Sequence, residues 1–436
     1  MTDMEHKLGG YKVFTREDAA ALFSGRDLYI WGAGQKGRGF LGALIRNGFT
    51  VKAFLDNSPA LKGGTYHGIP VIAPEKLLAD PAKCATAFIL CATIRRRYLE
   101  MFATCEAAGL RRGVDFTNIQ TLAPYCSSVE VCGNCNLHCL ACARATLDHS
   151  TTGGMMKKEA YDAIVNKIIR EQPFTYLVDI YLWGEPLLNV QLADMIRMGN
   201  ELGISTGIST NLNACRKLAD VMRARPASLR VALSGYGPAN YERTHAGASW
   251  ETVRRNLDNL AECVEEYADA DGRTLVQVSF HVNRRNVAEI EPMRKLCVSL
   301  GFDFFPHKSI VFQDHVMDLL DGKPISAEVQ EAMDIGPTSV QDLLAAAHAD
   351  REKVCLLKRC APTINWNGDV LACCNYATNR EGNSMGVHYL GTTLDAIIRQ
   401  RLESPLCAKC IGMDMHRFYV PEFKAGELDA FVAGQA

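Results

Sequence analysis

Apolar residues in this chain fall in short runs between polar stretches of helical pattern. DLYIWGAG (27–34) reads as a buried strand ending in a glycine turn. A helix is predicted through GFLGALIRNGF, a second strand at VKAFLDN, a later strand at TAFILCAT (86–93) and a helix around RRRYLEMFATCEAAGL. Short apolar strands alternating with helices predict a parallel sheet flanked by helices. This unit is placed at 1–122 as a Rossmann-like domain.

The alternation restarts at SSVEV. Further strands are predicted at VDIYLW (178–183), ISTGIST (204–210), LRVALSG (229–235), LVQVSFHV (275–282) and FDFFP (302–306). Stretches such as KKEAYDAIVNKIIREQ and WETVRRNLDNLAECVEEYA supply the helices between them. Six β/α units predict a partial (β/α)6 barrel over 123–316, with its chemistry at the C-terminal ends of the strands. Residues 317–354 read as a polar helical linker. Residues 355–436 are cysteine-rich and irregular, which suits a small domain held by metal. The expected fold class is α/β in three parts.

Composition narrows the partners. A net charge of −2 over 436 residues, with no basic block, argues against nucleic acid and anionic membranes. No apolar run is long enough to span a bilayer, and MTDMEHKLGGYKVF lacks the apolar core of a signal peptide. A cytoplasmic protein is expected. In that compartment the 17 cysteines point to metal ligands rather than disulfides. Cys84, Cys91, Cys105, Cys263 and Cys297 stand singly in apolar surroundings and read as packing residues.

The sharpest chemistry is VCGNCNLHCLAC (131–142), with Cys135, Cys139 and Cys142 spaced C-x3-C-x2-C after the first barrel strand. A structural zinc site closes with four ligands, and an ordinary iron–sulfur cluster takes four cysteines. Three thiols leave one corner open, unless Cys132 completes a zinc site. CNLHCLAC resembles the signature of the radical S-adenosylmethionine (SAM) enzymes, in which SAM fills the open corner of a [4Fe–4S] cluster. The resemblance extends over 125–315. It implies that the backbone at Trp183, Gly184 and Glu185, in WGEPLL, holds the methionyl amino group. It implies that Ser209 and Asn211, in STN, contact the ribose or carboxylate, and that Ser234, in ALSGYGPANYERTHAG, faces the site. Two positions depart from the family pattern. Ala141 replaces an aromatic residue before the last cysteine, and Trp183 replaces the first glycine of a GGEP-type element. The chemistry implied is reductive cleavage of SAM to a 5′-deoxyadenosyl radical, which abstracts a hydrogen atom from substrate.

RCAPTINWNGDVLACCNYATN and LCAKC offer Cys360, Cys373, Cys407 and Cys410 to one further centre. Together with Gly368-x4-Cys373 they resemble the twitch or SPASM type of extension, which implies an auxiliary [4Fe–4S] cluster. No cysteine follows Cys410, so one such cluster is expected. Cys355 and Cys374 are spare ligands, and zinc on the same four thiols is the alternative.

WGAGQKGRG carries G-x-G-x-x-G at Gly32, Gly34 and Gly37, and Asp56 ends the next strand at the spacing of a ribose contact. The loop is built either to bind a nucleotide at the helix N-terminus or, having lost that ligand, to dock. VKAFLDNSPALKGGTYHGIPVIAPEKL resembles accessory domains of sugar and surface-polysaccharide biosynthesis. That resemblance implies a small sugar-like or nucleotide-linked substrate. His281 and Lys308, on or beyond late strands, are candidates to bind substrate or move a proton. Cys215 is a candidate to return a hydrogen atom, as an epimerase requires. Each of the three also has a purely structural reading. Arg243 and His245 read as caps of the loop after the fourth strand.

The expected activity is oxidation or epimerisation at a carbinol carbon, served by a low-potential electron donor such as flavodoxin or ferredoxin. A peptide- or protein-modifying maturase is the first rival. A zinc-bound scaffold or redox sensor is the second.

Overall fold

The computed structural model describes residues 13–93, 97–123, 127–142, 144, 153–269, 272–309, 313–349, 355, 362–417, 428 and 432–433. Six strands build the first unit: β1 (Asp27–Trp31), β2 (Val51–Leu55), β3 (Thr65–Tyr66), β4 (Ile69–Ile72), β5 (Ala87–Cys91) and β6 (Phe116–Asn118). Their order is β3-β4-β2-β1-β5-β6, with only the β3–β4 pair antiparallel. Without β3 this is the doubly wound order of a Rossmann half. Strands β1 and β5 are central and buried along almost their whole length, as unbroken apolar runs require.

The second unit contains β7 (Ser127–Val129), β8 (His138–Cys139), β9 (Leu177–Asp179), β10 (Ser205–Thr210), β11 (Ser228–Leu233), β12 (His245–Ala246), β13 (Leu275–Val282) and β14 (Asp303–Lys308). Six of them form the parallel series β14-β13-β11-β10-β9-β7, the open partial barrel expected. One set of alternate residues, including Val178, Ile208, Val231, Val278 and Phe280, packs against the outer helices in a single core. The other set faces the lumen and is largely polar. Helix Trp250–Glu266 starts where Ser249 accepts from the Thr252 N–H, and its Val253, Leu257, Leu260 and Val264 are buried.

Two features depart from the expected layout. The C-terminal strands β15 (Thr363–Ile364), β16 (Asp369–Leu371) and β17 (Ser384–His388) are not a separate sheet: β15 pairs in parallel with β7, so the barrel sheet runs on to nine strands. The N-terminal unit is also fused to the barrel. Arg46, near the end of helix Gln35–Arg46, donates to the carbonyls of Leu202 (2.7 Å), Pro173 (3.1 Å) and Thr175 (2.6 Å). Phe40 packs on Phe174 and Tyr176. Within 317–349, helices span Ala327–Asp334 and Val340–Ala349. Cys84, Cys91, Cys105 and Cys297 are buried, and Cys263 is half-buried. Among the described residues no helix is long and apolar enough to cross a membrane.

Candidate active site

The three-thiol loop leaves the C-terminal end of β7 and is fixed from three sides. Its short strand β8 pairs antiparallel with β12, so His245 and Ala246 hold Cys139 and His138 in place. His245 is buried against Tyr241 at 4.7 Å, and burial lowers its pKa to about 4. Gly184 sits directly over the loop: a Cβ there would run into the Cys132 carbonyl and lie 2.7 Å from that of Asn134. Asn211 Nδ2 reaches Cys135 Sγ at 3.7 Å and donates to Asn136 Oδ1 at 3.1 Å.

Glu185 ties two of the strand-end motifs together. Its buried carboxylate accepts from the Leu187 N–H, the Thr210 hydroxyl and the Asn211 N–H. The Glu185 N–H in turn donates to the Asn134 carbonyl at 2.7 Å. Burial raises the Glu185 pKa to about 7. WGEP, STN and the cysteine loop are thereby brought to one end of the barrel.

Cys135, Cys139 and Cys142 are not joined in disulfides and are half-buried. Burial pushes the Cys139 thiol well above its ordinary pKa, and the adjacent Cys142 and Cys135 push it further. Three such thiols become thiolates together only around a cationic centre. Among the described residues no three His, Cys, Asp or Glu side chains are arranged to hold one metal ion. A closed zinc site needs four ligands on one ion, whereas a [4Fe–4S] cluster takes one thiolate per iron, and three thiols on one loop are a donor set such a cluster could use.

Ser234 and His281 meet inside the barrel, with Ser234 Oγ 3.1 Å from His281 Nδ1. Lys308 falls on the face opposite His307 by strand alternation. Cys215 packs against the barrel core with its thiol donating to the Leu212 carbonyl. Arg243 is drawn outward into an ion pair with Glu331. Three residues with no prior assignment belong to the site. Glu130, at the end of β7, is buried and accepts from the N–H groups of Trp183 (3.0 Å) and Gly184 (3.2 Å). Burial raises its pKa to about 7. His307 and Arg230 lie on the lumen face. Strand alternation carried through β11 and β14 would have found both.

The C-terminal thiols gather below a second loop. Cys407 and Cys410 share one face of helix Pro405–Gly412, and Cys373, Cys355 and Cys407 all raise the pKa of the Cys410 thiol, after burial, to about 12. Buried Arg401 favours the thiolate of Cys373. Cys360 lies outside the described residues, and Cys355 lies near enough to Cys410 to raise its pKa. Trp183 links the two regions: its Nε1–H donates to the Tyr376 carbonyl at 3.1 Å. A small hollow between Glu130, Arg144 and Trp183 on one side and Thr378 and Asn379 on the other follows this seam.

In the glycine loop, Asp56 accepts from the N–H groups of Ala33 and Ser58, both at 2.8 Å. Gly32 has φ +116°, and a Cβ at Gly37 would strike the Gly32 carbonyl. The first turn of the following helix faces the barrel, where Gln35 Nε2 donates to Ser228 Oγ at 2.8 Å.

No family model matches this chain, and no curated protein does. Among solved structures it is similar to BtrN in complex with AdoMet and 2-DOIA, at 16% identity and a TM-score of 0.40 over 66% of this chain and 87% of that one. It is similar to Streptococcus suis SuiB bound to S-adenosylmethionine, at 13% identity and a TM-score of 0.47 over 76% of this chain and 82% of that one. It is also similar to anSMEcpe with bound AdoMet, at 14% and 0.41 over 68% and 84%. At identities this low, the chemistry has to be read from the residues of this chain.

Proposed function

We propose that this chain is a radical SAM enzyme acting on a small sugar-like or nucleotide-linked alcohol, by oxidation or epimerisation. The observation that carries the reading is the joining of Cys135, Gly184, Glu185 and Asn211 at one end of the barrel by direct contacts. When bound, a [4Fe–4S] cluster on Cys135, Cys139 and Cys142 with SAM at its open iron supplies the carbon-centred radical. The protein's part is positional. Glu130 orients the Trp183–Gly184 peptide, and Glu185 fixes the end of β10 where Asn211 meets the loop. Ser234 and His281 present polar atoms to the lumen below.

Cys373, Cys407 and Cys410, with Cys360 or the spare thiol Cys355 as the fourth ligand, would hold one auxiliary [4Fe–4S] cluster, with a low-potential donor of flavodoxin or ferredoxin type supplying electrons. The N-terminal domain serves docking rather than nucleotide binding. Asp56 is occupied with its own loop, and the helix start rests on Ser228.

The test is anaerobic purification and reconstitution, followed by iron and sulfide counts. A Cys135→Ala/Cys139→Ala/Cys142→Ala variant and a Cys407→Ser/Cys410→Ser variant are carried alongside. About eight irons in the parent and about four in each variant support two independent clusters. A colourless, zinc-containing parent overturns the reading. SAM-dependent turnover of a peptide but not of a sugar-type alcohol would move the substrate assignment alone.

A further inference from the structure

The lumen of the partial barrel holds polar groups that the cysteine loop and its supporting motifs do not use. Cross-strand register puts Ser209, Arg230, Gln277 and Asp303 on one rung, and Ser234, His281 and His307 two rungs nearer the cysteine loop. Such a rung in a closed barrel is usually filled by branched apolar side chains. Here Arg230 is exposed although its strand is flanked on both sides.

Two contacts fix the guanidinium plane. Its Nε donates to Ser209 Oγ at 3.0 Å, and its carbon lies 5.0 Å from the centre of the Tyr181 ring. Both Nη groups make no hydrogen bond or ion pair among the described residues. A guanidinium with its Nε edge anchored and its fork open is preorganised for a two-oxygen acceptor. Asp179 sits one rung lower with its carboxylate folded over Gly207. Asp303, on the same rung as Arg230, is exposed at the edge strand.

The two histidines above add no charge. Lys308's carbonyl can only accept, so His307 donates to it from Nδ1 at 3.1 Å and accepts from the Ser279 hydroxyl at Nε2, 2.7 Å away. His281 Nδ1 meets Ser234, which leaves its Nε2 edge for a lumen ligand. Burial holds both rings neutral, with the His307 pKa at about 4.

We infer that the substrate carries an oxyanion, a phosphate or a carboxylate, which seats on the Arg230 fork while a neutral polar part of the same molecule lies against His281. This rests on the radical SAM reading for the word substrate, but the anion site stands or falls separately. The order along the lumen is anion at Arg230, neutral contact at His281, then the cysteine loop.

The test uses the full reconstituted chain and two probes, inorganic phosphate and acetate, at ionic strength matched with chloride. Binding is read by calorimetry and by the shift in melting temperature, for the parent, Arg230→Gln and Arg230→Lys. Iron content and SAM binding are measured on the same samples. Saturable binding of one probe by the parent is expected, weaker by about tenfold or more in Arg230→Gln and intermediate in Arg230→Lys, with iron and SAM binding unchanged. Preference for phosphate indicates a phosphorylated or nucleotide-linked substrate, and preference for acetate a carboxylate. Equal binding by the parent and Arg230→Gln, or no saturable binding by the parent, overturns the inference. Failure of the parent to hold iron overturns the radical SAM reading while the anion result still decides the site. If Arg230→Gln does not fold, the Arg230→Lys comparison carries the decision.

Discussion

Gly184 has no room for even one methyl group, because the Cys132 and Asn134 carbonyls occupy that space. Gly184→Ala should push the cysteine loop away, costing about 2 kcal/mol of stability and, if the loop holds the proposed cluster, lowering iron content per chain. Iron assay and urea unfolding check both, and an unchanged iron count would mean that the loop is not seated on this glycine. Glu130 supports the same peptide from below. Its carboxyl is raised from 4.5 to about 7 in the folded state, so it binds its proton more tightly folded than unfolded. The stability it contributes is fully present below about 4.5 and is lost as pH rises through about 7. Glu130→Gln cannot ionise, so its unfolding free energy should fall less than the parent's between about pH 5 and pH 8, by roughly 2 kcal/mol. Urea titrations across that range measure it. At this scale the cysteines, Gly184 and Asn211 were legible because their spacing is shared with a known signature. Glu130, Arg230 and His307 were not, because their roles arise only when separate strands are set side by side.

The helix Gln35–Arg46 shows what an element can do with glycine. Gly34, its N-cap, meets nothing within 4 Å of a built Cβ, whereas a Cβ on Gly39 would strike the Tyr176 carbonyl and one on Gly42 the Gly203 carbonyl. Gly42→Ala should therefore destabilise the protein by about 1–3 kcal/mol. Gly34→Asp, which supplies a preferred cap, should stay within about 0.5 kcal/mol of the parent. Chemical unfolding of the two variants separates these cases. If the proposed function holds and the domain only docks, Gly34→Asp also leaves SAM-dependent turnover intact, since the charge it adds repels only a phosphate ligand. The main strands were legible from apolar runs, with LVQVSFHV matching β13 end to end. The two-residue strands β8 and β12 were not, because so short a pairing leaves no periodicity in the chain. The glycine loop was read correctly as strand, turn and helix. What covers the helix was invisible, since close packing against another domain leaves no local pattern.

Across the whole molecule, three sequence regions share one framework. The N-terminal unit meets the start of β11 through Gln35 and Ser228, and the C-terminal strands extend the barrel sheet from β7. Scanning calorimetry of the intact protein should show the N-terminal unit and the barrel melting in one transition, because Phe174 and Tyr176 belong to the apolar cluster of the first unit. Two well-separated peaks would contradict that coupling. The alternation of strands and helices was legible in the chain, but the merging of its parts was not, since neither alternation nor composition carries register. The pairing of Thr363 with Ser128 also sets a timetable. As the chain leaves the ribosome, β7 emerges early and its neighbour β15 only after almost the whole barrel has been made. Throughout that interval β7 presents bare backbone donors and acceptors, the surface on which unfinished chains associate. Its brevity, three residues, is the protection available to it. The arrival of β15 thus ends the exposure of β7 to other copies of the nascent protein, and the yield of folded protein in a cell is expected to depend on how promptly that strand arrives.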